Sequence, residues 1–476
     1  MNTTWNKIVG AGLAAFAFTA CGDNSDGDGN NNPDASSPDA AAVDAAPPVD
    51  APIDAPADFT PPTPVAVVLS AAGEDQLQSA VAAPGGGFYA AGFAAATVGG
   101  AKVVTVVKLT AAGALDTTWG GGDGIAPTPL TFTGANDEID LALQGNKIIV
   151  SATIANDTTP ADNDWGVTRL NADGTVDTTF GGSNTGVRRI NLSTSTANNN
   201  RDGVRAVAVG PTGLIYLHGL ARAEDPRTDT DFILIRLTND GADDASFAKH
   251  VLDIQNSNAT PRGIHVFANG SVVAGGYANS EGVGSTQPVL YRVNDDGTRD
   301  NNFAGGLFHA AVLQVQTEVY GFAVHGDKLV TGGYGRDSGT QNDWVSMRFD
   351  AATGVRDTTW GGAANGAVLF DVSGTMVGDN CRGSYALPNG KTLLVGSTGS
   401  GAPGQDAAYA ILNATGGFDT AYGDGVHTTP FGANGADQIW GAAVSGNTAL
   451  MVGYKGASPQ SAETNDDAFA IVLPLQ

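Results

Sequence analysis

Cysteine is almost missing from the chain, which has two, Cys21 and Cys381, in 476 residues. Two cysteines cannot hold together a fold of this length, so a disulfide scaffold is excluded. There is no Cys-x-x-Cys and no Gly-x-Ser-x-Gly motif, and the six histidines are scattered without metal-ligand spacing. We expect Cys381 to be a small, partly buried residue rather than a nucleophile.

Positive charge is scarce as well. The chain carries 23 Lys and Arg against 49 Asp and Glu, a formal net charge of −26. Such an acidic protein repels phosphate backbones, so no nucleic-acid partner is expected. Cations, cationic proteins and neutral glycans are still compatible with this charge.

Long helical patterns are also missing, since no window longer than about ten residues keeps a helical period. Short apolar runs rich in Val, Ala and Leu alternate with turns, and the chain has 66 glycines. This pattern predicts an all-β protein with many turns.

The longest apolar run is Ile8–Ala20, thirteen residues that follow Lys7. It is too short to span a bilayer and suits the core of a signal peptide, residues 1–20. Phe18-Thr19-Ala20-Cys21 resembles a bacterial lipobox, which implies a lipid anchor on Cys21. Gly22 after the cysteine favours the outer membrane, so we expect a lipoprotein of the cell envelope. Ordinary secretion with cleavage after Ala20 is the alternative.

Residues 21–64 differ from the rest of the chain. Gly22–Pro64 holds nine Asp and no Lys, Arg or Glu, repeats Pro-Asp-Ala and has little apolar bulk. Such a segment buries too little surface to offset its ordering entropy, so it predicts a disordered tether.

From Val65 to Gln476 the chain repeats. The turn LDTTWGG at Leu115–Gly121 returns five times, and its aspartates are spaced by 61, 67, 56, 57 and 62 residues: Asp116, Asp177, Asp244, Asp300, Asp357 and Asp419. A period near sixty with one such turn per period is typical of a repeat architecture.

Each period contains four short apolar runs, two of them joined by a tight Gly or Asn turn such as Pro388–Gly390. The run after that turn occurs seven times, starting at Gly87, Lys147, Leu214, Ser271, Lys328, Lys391 and Thr448. Counting Val65–Leu69 as a strand completes seven units of four. The sequence therefore predicts a seven-bladed β-propeller over 65–476, with an open β-solenoid as the rival.

The segments DGTVDTTFGG (Asp173–Gly182) and NGKTLLVGS (Asn389–Ser397) resemble the delta-sixty repeat family of bacterial surface and secreted proteins. The resemblance covers nearly all of 65–476 and implies a propeller body without implying an activity. The unit is also similar to the NHL-type propeller repeat. That similarity implies that Val65–Leu69 is the outer strand of the last blade, which would latch the ring with both chain ends.

The repeated turn is interpreted as structural. A basic residue precedes its Asp by eight or nine positions at Lys108, Arg169, Arg236, Arg292 and Arg348. We expect these pairs to fasten strand ends, and the aromatic residue of each turn to wedge between blades.

A second periodic feature is the candidate site. Acidic residues stand just before six of the seven expected inner strands, with an arginine near the seventh: Asp75, Asp137, Asp202, Glu318, Asp379, Asp437 and Arg262. If inner strands line the axis, the six carboxylates surround one channel mouth and favour a cation or a cationic ligand. No cofactor is expected apart from calcium at this place. The alternative is that the carboxylates cap turns.

Loops of variable sequence, such as 221–231 and 455–466, are expected on one face, where binding would occur. The sequence therefore favours a monomeric, membrane-anchored recognition or scaffold module for an envelope protein, a glycan or a cation. The alternatives are an enzyme of lactonase, lyase or glycan-hydrolase type, and a spacer.

Overall fold

Alternating apolar residues and glycine-rich turns give a chain of short antiparallel strands in the computed structural model. It describes residues 59–476 except 134–137, 159–161, 183, 194–201, 255–256, 280–285, 340, 364, 374–377, 401–403, 424, 430, 432–434 and 457–465. The predicted signal peptide, Cys21 and nearly all of the tether lie outside the described residues. The described residues contain no α-helix, and thus no helix long and apolar enough to cross a membrane.

The first strands of the body are β1 (Val65–Ala66), β2 (Asp75–Ala82), β3 (Phe88–Ala95), β4 (Lys102–Leu109), β5 (Ile125–Phe132), β6 (Asp140–Gln144), β7 (Lys147–Ala155), β8 (Asn163–Leu170) and β9 (Val187–Ile190). The middle strands are β10 (Gly203–Val209), β11 (Ile215–Arg222), β12 (Thr230–Leu237), β13 (His250–Leu252), β14 (Ala259–Val266), β15 (Val272–Asn279), β16 (Thr286–Val293), β17 (Phe308–His309) and β18 (Gln316–Thr317). The last strands are β19 (Gly321–His325), β20 (Lys328–Arg336), β21 (Asp343–Asp350), β22 (Ala367–Phe370), β23 (Gly378–Ala386), β24 (Thr392–Ser400), β25 (Asp406–Leu412), β26 (Val426–Thr429), β27 (Gln438–Ser445), β28 (Thr448–Lys455) and β29 (Asp467–Pro474).

Consecutive strands pair antiparallel in groups of four. In the described residues these groups are β2–β5, β6–β9, β10–β13, β14–β17, β19–β22, β23–β26 and β27–β29 with β1. Single bridges, Phe132 to Ile154 and Thr286 to Gln316, join neighbouring groups into two larger sheets. The all-β class and the propeller architecture predicted from the sequence are confirmed.

The two ends of the repeat region meet in one sheet. Val65 and Ala66 of β1 pair with Ala470 and Phe469 of β29, so the N-terminal strand lies outermost on the last group. Val67 follows β1 and is fully buried.

The first strand of each group is the inner strand. Each contacts the inner strand of the next group: β2 with β6, then β10, β14, β19, β23, β27 and β2 again. The hydrophobic clusters lie between neighbouring groups, as where Val104 and Val106 of β4 share a cluster with Ile148 and Val150 of β7. The stability of each group therefore depends on its neighbours.

The repeated turn binds one group to the next, as the sequence predicted. Arg169 Nε donates to Asp177 at 2.8 Å, its guanidinium lies 4.9 Å from the Phe180 ring, and its Nη1 donates to the carbonyl of Asn239 at 2.5 Å. Arg236, Arg292 and Arg348 repeat all three contacts with their own partners. The turn aromatics are buried: Trp119, Phe180, Phe247, Phe303, Trp360 and Tyr422.

Most inner strands carry a β-bulge near their start. The pairing shifts between Leu77 and Ser79 in β2, and equivalent shifts occur in β10, β14, β23 and β27. A bulge places one extra residue in the strand and re-aims its side chain. The residue opposite each bulge is a glycine, because the facing backbone leaves no room for a Cβ atom. At Gly396, a Cβ would lie 2.0 Å from the Asn380 carbonyl oxygen.

We predict that Gly396→Ala lowers the free energy of unfolding by about 2 kcal/mol or more, because the methyl group meets backbone that is fixed by the sheet. Gly417→Ala is the matched control, since its Cβ would meet nothing closer than Asn413 Nδ2 at 3.3 Å. Urea unfolding monitored by tryptophan fluorescence measures both. Equal losses in the two variants would contradict the proposed tight approach.

A second prediction concerns pH. His218 is fully buried, its ring is near Phe232, and its Nε2 lies 3.0 Å from the Tyr291 hydroxyl. Burial lowers the pKa of His218 to about 3, while the unfolded chain titrates near 6.5. Its contribution to stability is therefore full above pH 6.5 and is lost as the pH falls from 6.5 towards 3, about 2 kcal/mol of it by pH 5.

The expected result is that His218→Gln loses about 2 kcal/mol less stability than the wild type between pH 7 and pH 5. The quantity compared is the change in unfolding free energy of each protein between pH 7 and pH 5. Burial raises the pKa of carboxylates such as Asp140 to about 6, and their effect on this change has the opposite sign. That effect is the same in both proteins and therefore cancels. His325→Gln, at a half-buried histidine, should change the pH dependence less. An unchanged pH dependence in His218→Gln would show that His218 is not the group responsible.

Candidate functional site

Four of the predicted acidic residues cap backbone. Asp75 accepts hydrogen bonds from the N–H groups of Leu69, Ser70 and Ala468 at 3.2, 2.8 and 2.6 Å. Asp202 accepts from the loop before its strand. This is the turn-capping role that the sequence left as the alternative.

Asp379 and Asp437 have the same role. Asp379 accepts from two N–H groups of the preceding loop and from the Thr398 hydroxyl and Gly399 N–H of the adjacent strand. Asp437 likewise joins Phe431 to Gly456. Burial raises the pKa of Asp75 and of Asp202 to about 6, in opposition to these hydrogen bonds. Calcium binding by these residues stays a prediction.

The other three predicted residues differ. Asp137 lies outside the described residues. Glu318 is buried and accepts from Gln316 Nε2 at 2.5 Å. Arg262 forms an ion pair with Glu138 and lines a cavity.

That cavity lies where the inner strands meet, and each of them contributes to it. Its volume is about 240 Å³. Among its lining residues, each group contributes one near the start of its inner strand: Gln78, Asp140, Arg205, Arg262, Tyr320, Arg382 and Trp440. Asp140 pairs with Ser151 and so stands one place further along the register than Gln78. We call these seven residues the channel set. In β2, β10, β14, β23 and β27 the channel residue is the bulged one.

Of this set, only Arg262 was predicted from the sequence. Five members stand three residues after a predicted aspartate, as Gln78 follows Asp75, and Tyr320 stands two after Glu318. A strand with regular alternation would place residues three apart on opposite faces, so choosing the aspartates as channel-facing excluded the channel set. The glycine opposite each bulge was the sequence feature that could have indicated the bulge, and with it the residue that faces the channel.

The channel set lies near the sheet edge that carries the loop between β11 and β12. The register places the start of β10 beside the end of β11, since Gly203 pairs with Leu220, and Ala221 pairs with Asp231 of β12. The loops before β10 and between β11 and β12 therefore share the edge near which Arg205 lies. Binding at the channel and binding by variable loops involve the same face.

Aromatic rings and guanidinium groups alternate along one side of the channel. The Arg262 guanidinium lies 4.1 Å from the Tyr320 ring centre, and that of Arg382 lies 5.0 Å from the same ring and 4.8 Å from Trp440. Such stacking fixes the plane of each guanidinium and leaves its N–H edge for hydrogen bonding.

The two stacked arginines have different partners. Arg262 forms an ion pair with Glu138 and donates to the Tyr277 hydroxyl at 3.4 Å, while its Nε is buried without a partner. Tyr277, Tyr320 and Tyr334 continue as a chain of hydroxyl contacts of 3.2 and 2.9 Å. Burial raises the pKa of Tyr277 and Tyr334. In the described part of the chain, the Arg382 side chain makes no hydrogen bond or ion pair, and its Nε is buried.

The channel carboxylate is held by its neighbours. Asp140 accepts from the Ser79 hydroxyl at 2.5 Å and from the N–H groups of Leu141 and Val207 at 2.9 and 2.8 Å. Burial raises its pKa to about 6 in spite of these bonds. The site therefore combines aromatic rings, three arginines and two carboxylates, Asp140 and the Glu138 that pairs with Arg262.

Neither cysteine chemistry nor histidine chemistry reaches the channel. Cys381, predicted to be partly buried, is fully buried, which raises the pKa of its thiol to about 12. None of the six histidines, all of them in the described residues, lines the cavity.

Comparison with known proteins agrees with the fold. A family model described as "Domain of unknown function (DUF5122) beta-propeller" matches residues 146–180 and 268–303. None of the curated proteins gives a match to the sequence.

Similar solved structures share low sequence identity. A protein of unknown function from Dyadobacter fermentans is 12% identical, with 87% of this chain and 99% of that one covered at a TM-score of 0.43. The polysaccharide lyase Uly1 is 9% identical, with 84% of this chain and 90% of that one covered at a TM-score of 0.48. The β-propeller domain of the Trilobed protease from Pyrococcus furiosus is 10% identical, with 85% of this chain and 98% of that one covered at a TM-score of 0.42. With identities and TM-scores this low, these structures do not indicate a ligand. Two stretches of the chain thus match a β-propeller family model, and the strand pairing is that of a β-propeller.

Proposed function

We propose that the protein is an exported recognition module that binds its ligand at the channel mouth, through the channel set. The observation that carries this proposal is a contrast between repeated positions. The turn aspartate, its basic partner and the wedge aromatic recur in group after group, whereas the channel position holds Gln, Asp, Arg, Arg, Tyr, Arg and Trp.

That contrast separates a structural role from a binding role. The same backbone feature, a bulge opposite a glycine, presents each of five of these side chains. A position needed for packing alone would be filled by similar residues in every group, as the wedge position is. Varied polar, charged and aromatic groups that converge on one cavity are typical of a ligand site.

The ligand is expected to be small or to insert one small part. A cavity of about 240 Å³ is below the usual range for drug-sized ligands. A glycan residue or a protein side chain presented by an envelope partner fits this size. No residue arrangement in the channel favours an enzyme over a binding module, so binding is proposed as the function.

The test is binding of the fluorescently labelled full chain to an array of neutral, carboxylated and sulfated glycans and of short peptides. We expect binding to at least one class. Trp440→Ala should weaken it at least about tenfold, because an aromatic side chain in a binding site contributes more than 1 kcal/mol. The control is Val251→Ala, at an exposed side chain on the outer strand β13.

Two results would contradict the proposal. One is binding that Trp440→Ala and Val251→Ala leave equally unchanged, which would place the ligand elsewhere on the surface. The other is a wild-type chain that binds no member of the array. Thermal unfolding of each variant verifies that the fold is retained.

A further inference from the structure

The channel contains one cation that the fold positions without neutralising. Arg382 stands at the bulge of β23, with its guanidinium between the rings of Tyr320 and Trp440 at 5.0 and 4.8 Å. The aromatic rings contact the faces of the group and supply no hydrogen-bond acceptor to its edge. Among the described residues, stacking is therefore the contact that fixes the position of this guanidinium.

Arginine needs acceptors for five N–H groups. Within the described residues Arg382 has no side-chain acceptor, and its Nε is shielded from solvent. A buried donor that lacks a partner is costly and rare in native proteins. An acceptor that arrives with a ligand removes this cost.

Arg262 provides the comparison inside the same channel. It occupies the equivalent bulge in β14 and also packs on Tyr320, but it forms an ion pair with Glu138 and donates to the Tyr277 hydroxyl. Its Nε, like that of Arg382, is buried without a hydrogen-bond partner. Among the described residues, the difference between the two arginines is thus the acidic partner, which Arg262 has and Arg382 lacks.

We propose that Arg382 is the anion-binding residue of the channel and receives an oxyanion group, a carboxylate or a sulfate ester, from a small ligand. When the faces of a guanidinium are stacked, its N–H edge can donate two parallel hydrogen bonds to two oxygens of such a group. The cavity volume of about 240 Å³ limits the part that enters to about the size of one sugar residue. This inference rests on the proposed function, since it names the ligand class for the same site.

The experiment is isothermal titration calorimetry on the full chain with three monosaccharide probes: glucuronate, glucose 6-sulfate and glucose. We expect one or both acids to bind at least about tenfold more tightly than glucose, because hydrogen bonds to a charged group exceed neutral ones. The two acids distinguish a carboxylate ligand from a sulfate ligand.

Variants assign the effect to the residue. Arg382→Gln should weaken acid binding about 10- to 100-fold while leaving glucose unchanged, and Arg382→Lys should recover only part of the loss, because an ammonium lacks the paired donors. Arg188→Gln, which removes an arginine that pairs with Asp243 outside the channel, should change neither. Thermal unfolding of all three variants checks folding.

Equal affinity for glucose and both acids, no binding of either acid, or acid binding unaffected by Arg382→Gln would each overturn the inference. These outcomes are separable from failure of the proposed function. If Trp440→Ala abolishes binding of a neutral ligand that Arg382→Gln leaves intact, the channel is a binding site without an oxyanion preference. If neither variant changes any binding, the channel is not the site.

Discussion

The contact on which the whole structure depends is the arginine that connects a repeated turn to the following group. Arg169 is almost fully buried, yet three contacts satisfy it: the Asp177 carboxylate, the Phe180 ring and the carbonyl of Asn239 in the next group. Burial opposes ionisation of Asp177, but hydrogen bonds from Lys147 and Thr179 and the Arg169 charge hold the pKa of that carboxyl below its usual range. A buried ion pair is stable only when its remaining donors are satisfied as well, and here the neighbouring group supplies that acceptor. Each group is therefore completed by the next one, which makes a single isolated group an unfavourable structure.

This arrangement separates support from recognition within one repeat. The fasteners lie at the turn after the third strand, away from the channel residues at the start of the inner strands. Arg169 reaches its inner strand only at the far end, where it donates to Gln144 of β6 at 2.8 Å. The inner strand is then held by its pairing with the second strand and by aspartate caps such as Asp379. The bulge adds a residue that makes no pairing contact, and its side chain can change from Gln78 to Trp440 without altering the frame. A repeat protein with this construction can vary its channel at low cost in stability.

The sequence was informative where the repeat is regular and less informative where it is not. The spacing of Asp116 and its equivalents, and the basic residue before each, predicted the fold class and the fasteners correctly because packing requires the same groups in every repeat. The channel was misjudged for a physical reason. Asp75 and Gln78 are both polar and both precede the apolar part of β2, and only the backbone amides of Leu69 and Ser70 decide that the aspartate turns towards its loop. Those amides, and the bulge that breaks the alternation, depend on tertiary pairing, which one sequence does not display.

The charge distribution adds a constraint on any ligand. The chain carries a net charge of −26, while the channel contains Arg205, Arg262 and Arg382. At distances beyond the Debye length of about 8 Å at physiological ionic strength these charges are screened, so an approaching anion meets mainly the nearest surface, which is acidic on average. Inside the channel the arginines are close and partly desolvated, and attraction is stronger there. A polyanion is repelled by the acidic surface along its whole length but places only one acid group in the channel. A ligand with a single acid group is repelled much less and makes the same contact with the arginine. The structure therefore favours sparsely charged ligands over densely charged ones, and the acidity of the protein becomes a source of selectivity rather than an objection to anion binding.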